Sequence, residues 1–537
     1  MSEYRKNELL EMEITDLGSE GEGIGRTGAF LWFVKDAVPG DRIRASVMKV
    51  KKNYGYARLT EILSPGPDRV APECPAARRC GGCTLQALSY PAQLSFKENK
   101  VRNNLLRIGG IPEETLRSVF HPVIGMEHPF RYRNKAQFPV GYVKTAAIGE
   151  AGGRGDASAG THGGTANAGA GKTLAAGFYA GRTHSIIPCE DCLLGVPENR
   201  RITADVLDWM KEEGVRAYEE ESGSGFVRHI LIRKGFQSGE IMLCLVTNGE
   251  EPSGGRGKTA GKAGAGGSVM RAAAARFMKL PGVVTVVQNI NREKTNVILG
   301  KETRILEGPG FIVDTIGGVE FEISAQSFYQ VNPVQTEKLY GTALRYAGLS
   351  GKETVWDLYC GIGTISLFLA RQAKTVRGVE IVPRAIEDAK RNAARNGFRN
   401  TEFFVGKAEE VLPAEFRRTG ERADVIVVDP PRKGCDEECL KTMLAMAPDR
   451  IVYVSCDSAT LARDLKYLLA DGKYELREVQ PVDMFPQTVH CESCVLLERV
   501  SNRKADSYVK LNVKMEDYYR IKDSTGTGKC GGVTEDE

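Results

Sequence analysis

At 537 residues, with 42% hydrophobic content and a formal net charge of +4, the chain is too long for one core and is expected to fold as several globular domains. No apolar run approaches the ~18 residues of a membrane span, and the charged start Met1-Ser2-Glu3-Tyr4-Arg5-Lys6 does not read as a secretory leader. A cytoplasmic protein with no membrane contact is expected, its 13 cysteines serving as thiols, ligands or nucleophiles before disulfides.

Residues 1–66 carry short strand-like pieces between glycines: Leu10–Ile14, Ala29–Val34, Asp41–Val47 and Tyr56–Ile62. Several short strands in so few residues predict a small closed barrel of OB type, ended by Ser64-Pro65-Gly66-Pro67. The overall charge does not by itself predict nucleic-acid binding, but the basic residues cluster. Lys49, Lys51, Lys52, Tyr54, Tyr56 and Arg58 form one group, and Arg131, Tyr132, Arg133 and Lys135 another. Cations interleaved with aromatics suit phosphate contact and base stacking; a solvated strand face is the plainer alternative.

Next comes Cys74-Pro75-Ala76-Ala77-Arg78-Arg79-Cys80-Gly81-Gly82-Cys83. This C-x5-C-x2-C loop can bring three thiolates to one centre, with Cys189 or Cys192 as a fourth. Zinc and an iron–sulfur cluster both fit that spacing. Two Gly/Ala-rich stretches, 149–172 and 252–268, read as mobile insertions without enough apolar surface to order themselves. The strand-like pieces between and around them, in residues 67–345, predict an antiparallel central domain.

Residues 346–500 alternate strand and helix, the pattern of a doubly wound parallel sheet. Three segments read as carboxyl ends of its strands, where open α/β sheets bind ligands: Asp357-Leu358-Tyr359-Cys360-Gly361-Ile362-Gly363, Asp429-Pro430-Pro431-Arg432, and Val454-Ser455-Cys456-Asp457. Glu380 ends a further strand about 20 residues beyond the glycine turn, where a carboxylate reaches ribose hydroxyls. Lacking a G-x-G-x-x-G phosphate loop, the turn suits a nucleoside such as S-adenosylmethionine better than NAD. Cys456 is the candidate nucleophile, since C6 of a uracil ring accepts a thiolate, and the helix after Asp457-Ser458 is expected to lower its pKa. Glu492, an acid in an apolar strand, is the candidate base for the C5 proton. Cys491 and Cys494 read as packing. The charged tail, 501–537, has no clear period.

These motifs together carry a resemblance. Gly18–Arg26 with Ala37–Asp41 resembles the TRAM domain of RNA-modifying enzymes. Ser327-Phe328-Tyr329-Gln330-Val331-Asn332 and the Asp429, Cys456 and Glu492 motifs resemble those of the bacterial RNA 5-methyluridine methyltransferases. The likeness covers nearly all of the chain to Val500 except the insertions. It is specifically to the branch acting on 23S rRNA, which is related to the tRNA uracil-5-methyltransferase. It implies a Rossmann-like methyltransferase domain (346–500) behind a TRAM barrel (1–66) and an iron–sulfur β-rich domain (67–345), acting as a monomer on RNA. By the same resemblance Gln330, Tyr359, Gly361, Glu380 and Asp429 would line the S-adenosylmethionine pocket. Cys456 would be nucleophile and Glu492 base. Cys74, Cys80, Cys83 and Cys192 would hold a [4Fe-4S] cluster, Cys189 being the runner-up for the fourth place. Lys407 and Gln487 depart from residues found in some members. A tRNA target, a non-catalytic iron–sulfur RNA-binding protein, and an Asp-Pro-Pro-type N-methyltransferase needing no thiol remain the competing readings; the intact Cys456, Glu492 and Asp429 speak against the non-catalytic one.

Overall fold

The computed structural model describes residues 4–144, 171–181, 183–252 and 268–500. All but the end residues of the expected insertions, and the whole 501–537 tail, lie outside the described residues.

The N-terminal strands β1 (Leu9–Leu17), β2 (Gly23–Thr27), β3 (Phe30–Lys35), β4 (Arg42–Val50) and β5 (Tyr54–Ser64) close into a barrel in the order β1-β2-β3-β5-β4. Alternation explains its filling: Leu10, Met12 and Ile14 of β1 point inward onto Trp32, Val34 and Ile43. Position 55 must be glycine because a Cβ there would stand 2.2 Å from the Trp32 ring. Asp41, fully buried, pairs with Arg69 at 2.6 Å and accepts from the Val38 and Gly66 amides at 2.8 and 2.9 Å, pinning the barrel to the chain that leaves it.

Helices α1 (Tyr90–Arg107) and α2 (Glu113–Val119) lead into the central strands β6 (Lys135–Lys144), β7 (Lys172–Tyr179), β8 (Ile186–Pro188), β9 (Val227–Lys234), β10 (Ile241–Thr247), β11 (Val283–Ile290) and β12 (Glu302–Glu307). They form one sheet in the order β12-β11-β10-β9-β6-β7-β8. The sheet is mixed rather than antiparallel, because β10 and β11 pair parallel. Helix α4 (Val269–Phe277) lies between them in sequence and makes the crossover a parallel pair requires. With α3 (Glu198–Glu213), it covers one face of the sheet. The opposite face, through Leu231, Met242, Cys244 and Val246, shares a core with the C-terminal domain.

A hairpin, β13 (Phe311–Ile316) and β14 (Val319–Ser324), then α5 (Pro333–Ala347), enter that domain. Its strands are β15 (Thr354–Leu358), β16 (Thr375–Glu380), β17 (Thr401–Val405), β18 (Val425–Val428), β19 (Arg450–Ser455), β20 (Tyr474–Val482) and β21 (Glu492–Arg499). The interleaved helices are α6 (Thr364–Ala370), α7 (Pro383–Arg395), α8 (Ala408–Thr419), α9 (Glu437–Met446) and α10 (Ser458–Leu468). The sheet runs β17-β16-β15-β18-β19-β21-β20. Strands β15 to β19 are parallel, and the apolar β18 is buried throughout, as strands covered on both faces are. β20 and β21 are antiparallel, joined by a loop with no intervening helix, and β21 inserts between β19 and β20. The strand order reverses between β15 and β18, which opens a crevice beyond their carboxyl ends. Among the described residues no helix is long and apolar enough to cross a membrane.

Candidate active site

Register assembles the candidate groups. Ser455, the last residue of β19, pairs with Ser493 of β21, so one further step sets Cys456 beside Glu492. On the other flank Tyr453 pairs with Val428, and Asp429 leaves β18 on the same edge. Asp457 caps α10 by accepting from the Ala459 and Thr460 amides at 2.9 and 3.0 Å, which turns the chain sharply after the cysteine.

Glu492 is 3% exposed, and its Oε2 has no hydrogen-bond partner among the described residues. Burial lifts its carboxyl to about 7, with Arg432 opposing. Asp429 is raised well above the usual carboxylate range, first by burial and then by the charge of Glu492, so the two carboxyls titrate as a pair. Cys456 is half-buried. Its thiol is pushed up to about 11 by burial, then by Glu492 and Asp429, with Arg432 pulling the other way. The helix that follows does not lower it as the sequence suggested: desolvation and two adjacent carboxyls outweigh a helix end. Arg432 itself makes no hydrogen bond or ion pair among the described residues.

The crevice beside this group is acidic. Glu380 is clasped by the Gly361 amide at 3.3 Å and the Val382 amide at 2.9 Å. Gly361 adopts φ 54°, and a Cβ there would project into open space, so the turn leaves room for a ligand against the backbone. Asp357 is buried and accepts from Ser366 at 2.5 Å, while its other oxygen has no partner. Burial raises it to about 7, with Asp429 and Glu380 adding to the rise. Gln330 is buried at the entry to α5, its carbonyl accepting from Asn134 at 3.0 Å. Tyr359 takes φ 67° and engages Cys439, which directs its hydroxyl toward α9. An unpartnered carboxyl oxygen and a backbone turn with open space are what a bound nucleoside carrying hydroxyls and a cation would satisfy.

The thiols of the cysteine segment gather without converging. Burial raises Cys74, Cys80, Cys83 and Cys189, and Cys192 lies within electrostatic reach of all four. Cys83 and Cys189 reach about 12. Arg131 clamps the loop before Cys192 through Asp191, at 2.6 and 2.7 Å. Yet among the described residues no three His, Cys, Asp or Glu side chains form a metal-holding group, so the expected ligand set Cys74, Cys80, Cys83 and Cys192 is not assembled as one centre. The segment is tied instead to the loop that precedes Glu492. Thr84 and Leu85 amides donate to the Gln487 carbonyl at 3.0 and 3.1 Å, and Gln93 exchanges hydrogen bonds with Gln487 at 3.0 and 3.1 Å.

Four residues around the site were not singled out from sequence. Asp357 carried the same signal as Glu492, an acid within an apolar strand. Arg432 stood in a quoted motif. The buried pair Lys97–Asp483, at 2.5 Å with Tyr90 donating to Asp483 at 2.9 Å, had no local signal because its members are 386 positions apart.

The TRAM domain family matches residues 5–60, and the tRNA (Uracil-5-)-methyltransferase family matches residues 316–500. An uncharacterized RNA methyltransferase of Halalkalibacterium halodurans is 49% identical over 495 residues, 92% of this chain and 97% of its own length. Another, of Clostridium acetobutylicum, is 46% identical over 499 residues, 92% of this chain and 98% of its own. The crystal structure of a Pyrococcus abyssi tRNA (uracil-54, C5)-methyltransferase with S-adenosyl-L-homocysteine shares the fold at TM-score 0.66 and 24% identity, covering 91% of this chain and 100% of that one. The chain belongs to the RNA (uracil-5-)-methyltransferase family, with an S-adenosylmethionine-dependent methyltransferase fold behind an N-terminal TRAM domain.

Proposed function

We propose that this enzyme methylates C5 of a uridine in 23S rRNA, with Cys456 as nucleophile and Glu492 as base. The observation that carries the reading is the β19–β21 register, which sets a half-buried thiol beside a buried carboxyl with a free oxygen. Cys456 acts as thiolate. Its sulfur bonds to C6 of the ring, the electron pair of the C5–C6 double bond moves toward C5 and O4, and C5 becomes able to take a methyl cation. S-adenosylmethionine, when bound, supplies that methyl from a cationic sulfur. Gln330, Tyr359, Gly361, Glu380 and Asp429 would hold it, and the acidic crevice of Asp357, Glu380, Asp429 and Glu492 suits a cation. Glu492 in its ionised form then takes the C5 proton, the C5–C6 double bond re-forms, and the Cys456 thiolate is expelled. The proton leaves Glu492 for solvent before the next turnover. To present C5 and C6 the uridine must leave its stack.

The cysteine segment supports a second part of the reading. Cys74, Cys80, Cys83 and Cys192, with Cys189 as alternative, would hold a [4Fe-4S] cluster once drawn together, since a cation replaces mutual repulsion of thiolates with attraction. Its role would be structural, because the segment braces Gln487 on the loop before Glu492. A tRNA target is the second reading, favoured by the family whose profile matches residues 316–500. Mass spectrometry of digested 23S rRNA and tRNA from cells lacking the gene separates the two. Loss of 5-methyluridine from 23S rRNA alone is expected; loss from tRNA alone would transfer the assignment, and loss from neither would contradict it.

A further inference from the structure

The fold itself uses part of the basic run from Arg131 to Lys135. Arg131 is committed to Asp191, and Tyr132 is buried with its hydroxyl donating to the Pro486 carbonyl at 3.0 Å. Lys135 is different. It opens β6 directly opposite Arg233 of β9, a pairing of like charges on one face of the sheet. Like charges at facing positions are destabilising unless something compensates. No carboxylate pairs with either residue among the described residues, and the Lys135 ammonium makes no hydrogen bond there.

Arg233 is 3% exposed. Its guanidinium donates to the Ala325 and Ser327 carbonyls at 3.2 and 2.5 Å, and its Nε has no partner. Lys135 remains partly exposed. The face they share also carries Met242, opposite Arg233 in β10, which packs into the core common to the central sheet and the methyltransferase domain. Just before β6, the Asn134 amide and side chain donate to Val331 and Gln330 at 2.9 and 3.0 Å. The two cations therefore sit at the seam beside Gln330, on the central-sheet side of the crevice. Burial, then Arg233 and Arg133, hold the Lys135 ammonium down at about 8, the mark of a cation lacking its counter-charge.

We propose that Lys135, backed by Arg233 and flanked by Arg133, is a binding site for a backbone phosphate of the substrate RNA close to the unstacked uridine. This rests on the RNA-methylation reading above and adds to it the anchor for the strand. An anionic phosphodiester oxygen would neutralise the facing charges. A carboxylate of the methyl donor shares that chemistry, but the site belongs to the central sheet rather than to the strand ends around Glu380.

The test compares Lys135→Gln and Lys135→Arg with the parent in the full chain. Fluorescein-labelled oligouridine is titrated at several salt concentrations, S-adenosylhomocysteine is titrated by calorimetry, and Tm is recorded. Lys135→Gln should weaken oligouridine binding about tenfold and flatten the slope of log K against log salt by about 0.7. Its S-adenosylhomocysteine affinity should be unchanged, and its Tm unchanged or higher because a repulsion is gone. Lys135→Arg should bind oligouridine as the parent does. Parental oligouridine affinity and slope in Lys135→Gln would overturn the proposal, as would loss of S-adenosylhomocysteine binding alone or a general loss of fold. If the parent forms an adduct with 5-fluorouridine RNA while Lys135→Gln binds oligouridine normally, the phosphate site fails alone. A parent that forms no adduct and transfers no methyl would instead sink the underlying reading.

Discussion

Glu492 shows how one buried acid trades stability for readiness to take a proton. Its carboxyl titrates near 7 in the folded chain against an ordinary 4.5, so the native state keeps a proton that the unfolded chain releases between those values. Stability tied to this group is therefore present below pH 4.5 and lost as pH rises to about 7. Glu492→Gln should match the parent Tm near pH 4.5 and exceed it at pH 8; equal Tm values at both would show that the carboxyl is not strained by burial. Cys456 offers the complementary measurement. With its thiol near 11, the reactive thiolate should grow about tenfold per pH unit. Alkylation of the Cys456 peptide by iodoacetamide, followed by mass spectrometry, should therefore accelerate from pH 7 to 9.5 without levelling. A plateau near pH 8 would mean the site activates the thiol by itself. Glu492→Gln should speed alkylation at fixed pH, since it removes the charge that most opposes ionisation after burial.

At the scale of elements, the loop between β20 and β21 decides where Glu492 stands, and helix α1 holds that loop. Lys97 reaches Asp483 at 2.5 Å and the Phe485 carbonyl at 3.0 Å, both charged groups being fully buried. Removing one partner strands the other without water, a loss of roughly 3–5 kcal/mol, whereas removing both charges is far milder. Lys97→Met should thus lower Tm markedly, and Lys97→Met with Asp483→Asn should regain much of it. A double variant no more stable than Lys97→Met would argue that packing of the lysine stem, not its charge, is what α1 contributes. None of this was visible in the sequence, where Asp483 is an ordinary acid after a strand of mixed polarity. By contrast, the Asp457 cap was legible, because Ser455-Cys456-Asp457-Ser458 before an amphipathic run is a local signal and the hydrogen bonds it predicts are local too.

Across the whole molecule the same division holds. The barrel announced itself through glycines and alternating strands, and the candidate nucleoside crevice through three strand ends, since each depends on neighbours in the chain. The mixed pairing of β10 with β11 and the insertion of β21 between β19 and β20 depend on distant partners, and periodicity carries no register between them. That long-range register is also what brings together Cys456 and Glu492, the proposed nucleophile and base. The most direct test of the pair is covalent trapping on RNA containing 5-fluorouridine, in which no C5 proton is available for removal and the thiol cannot be expelled. With methyl donor present, the parent enzyme should form an adduct stable to denaturing electrophoresis. Cys456→Ala should form none and lose turnover. On ordinary RNA Glu492→Gln should accumulate an adduct and release it slowly, because only the second half of the reaction needs the base. Undiminished methylation by Cys456→Ala would contradict the account.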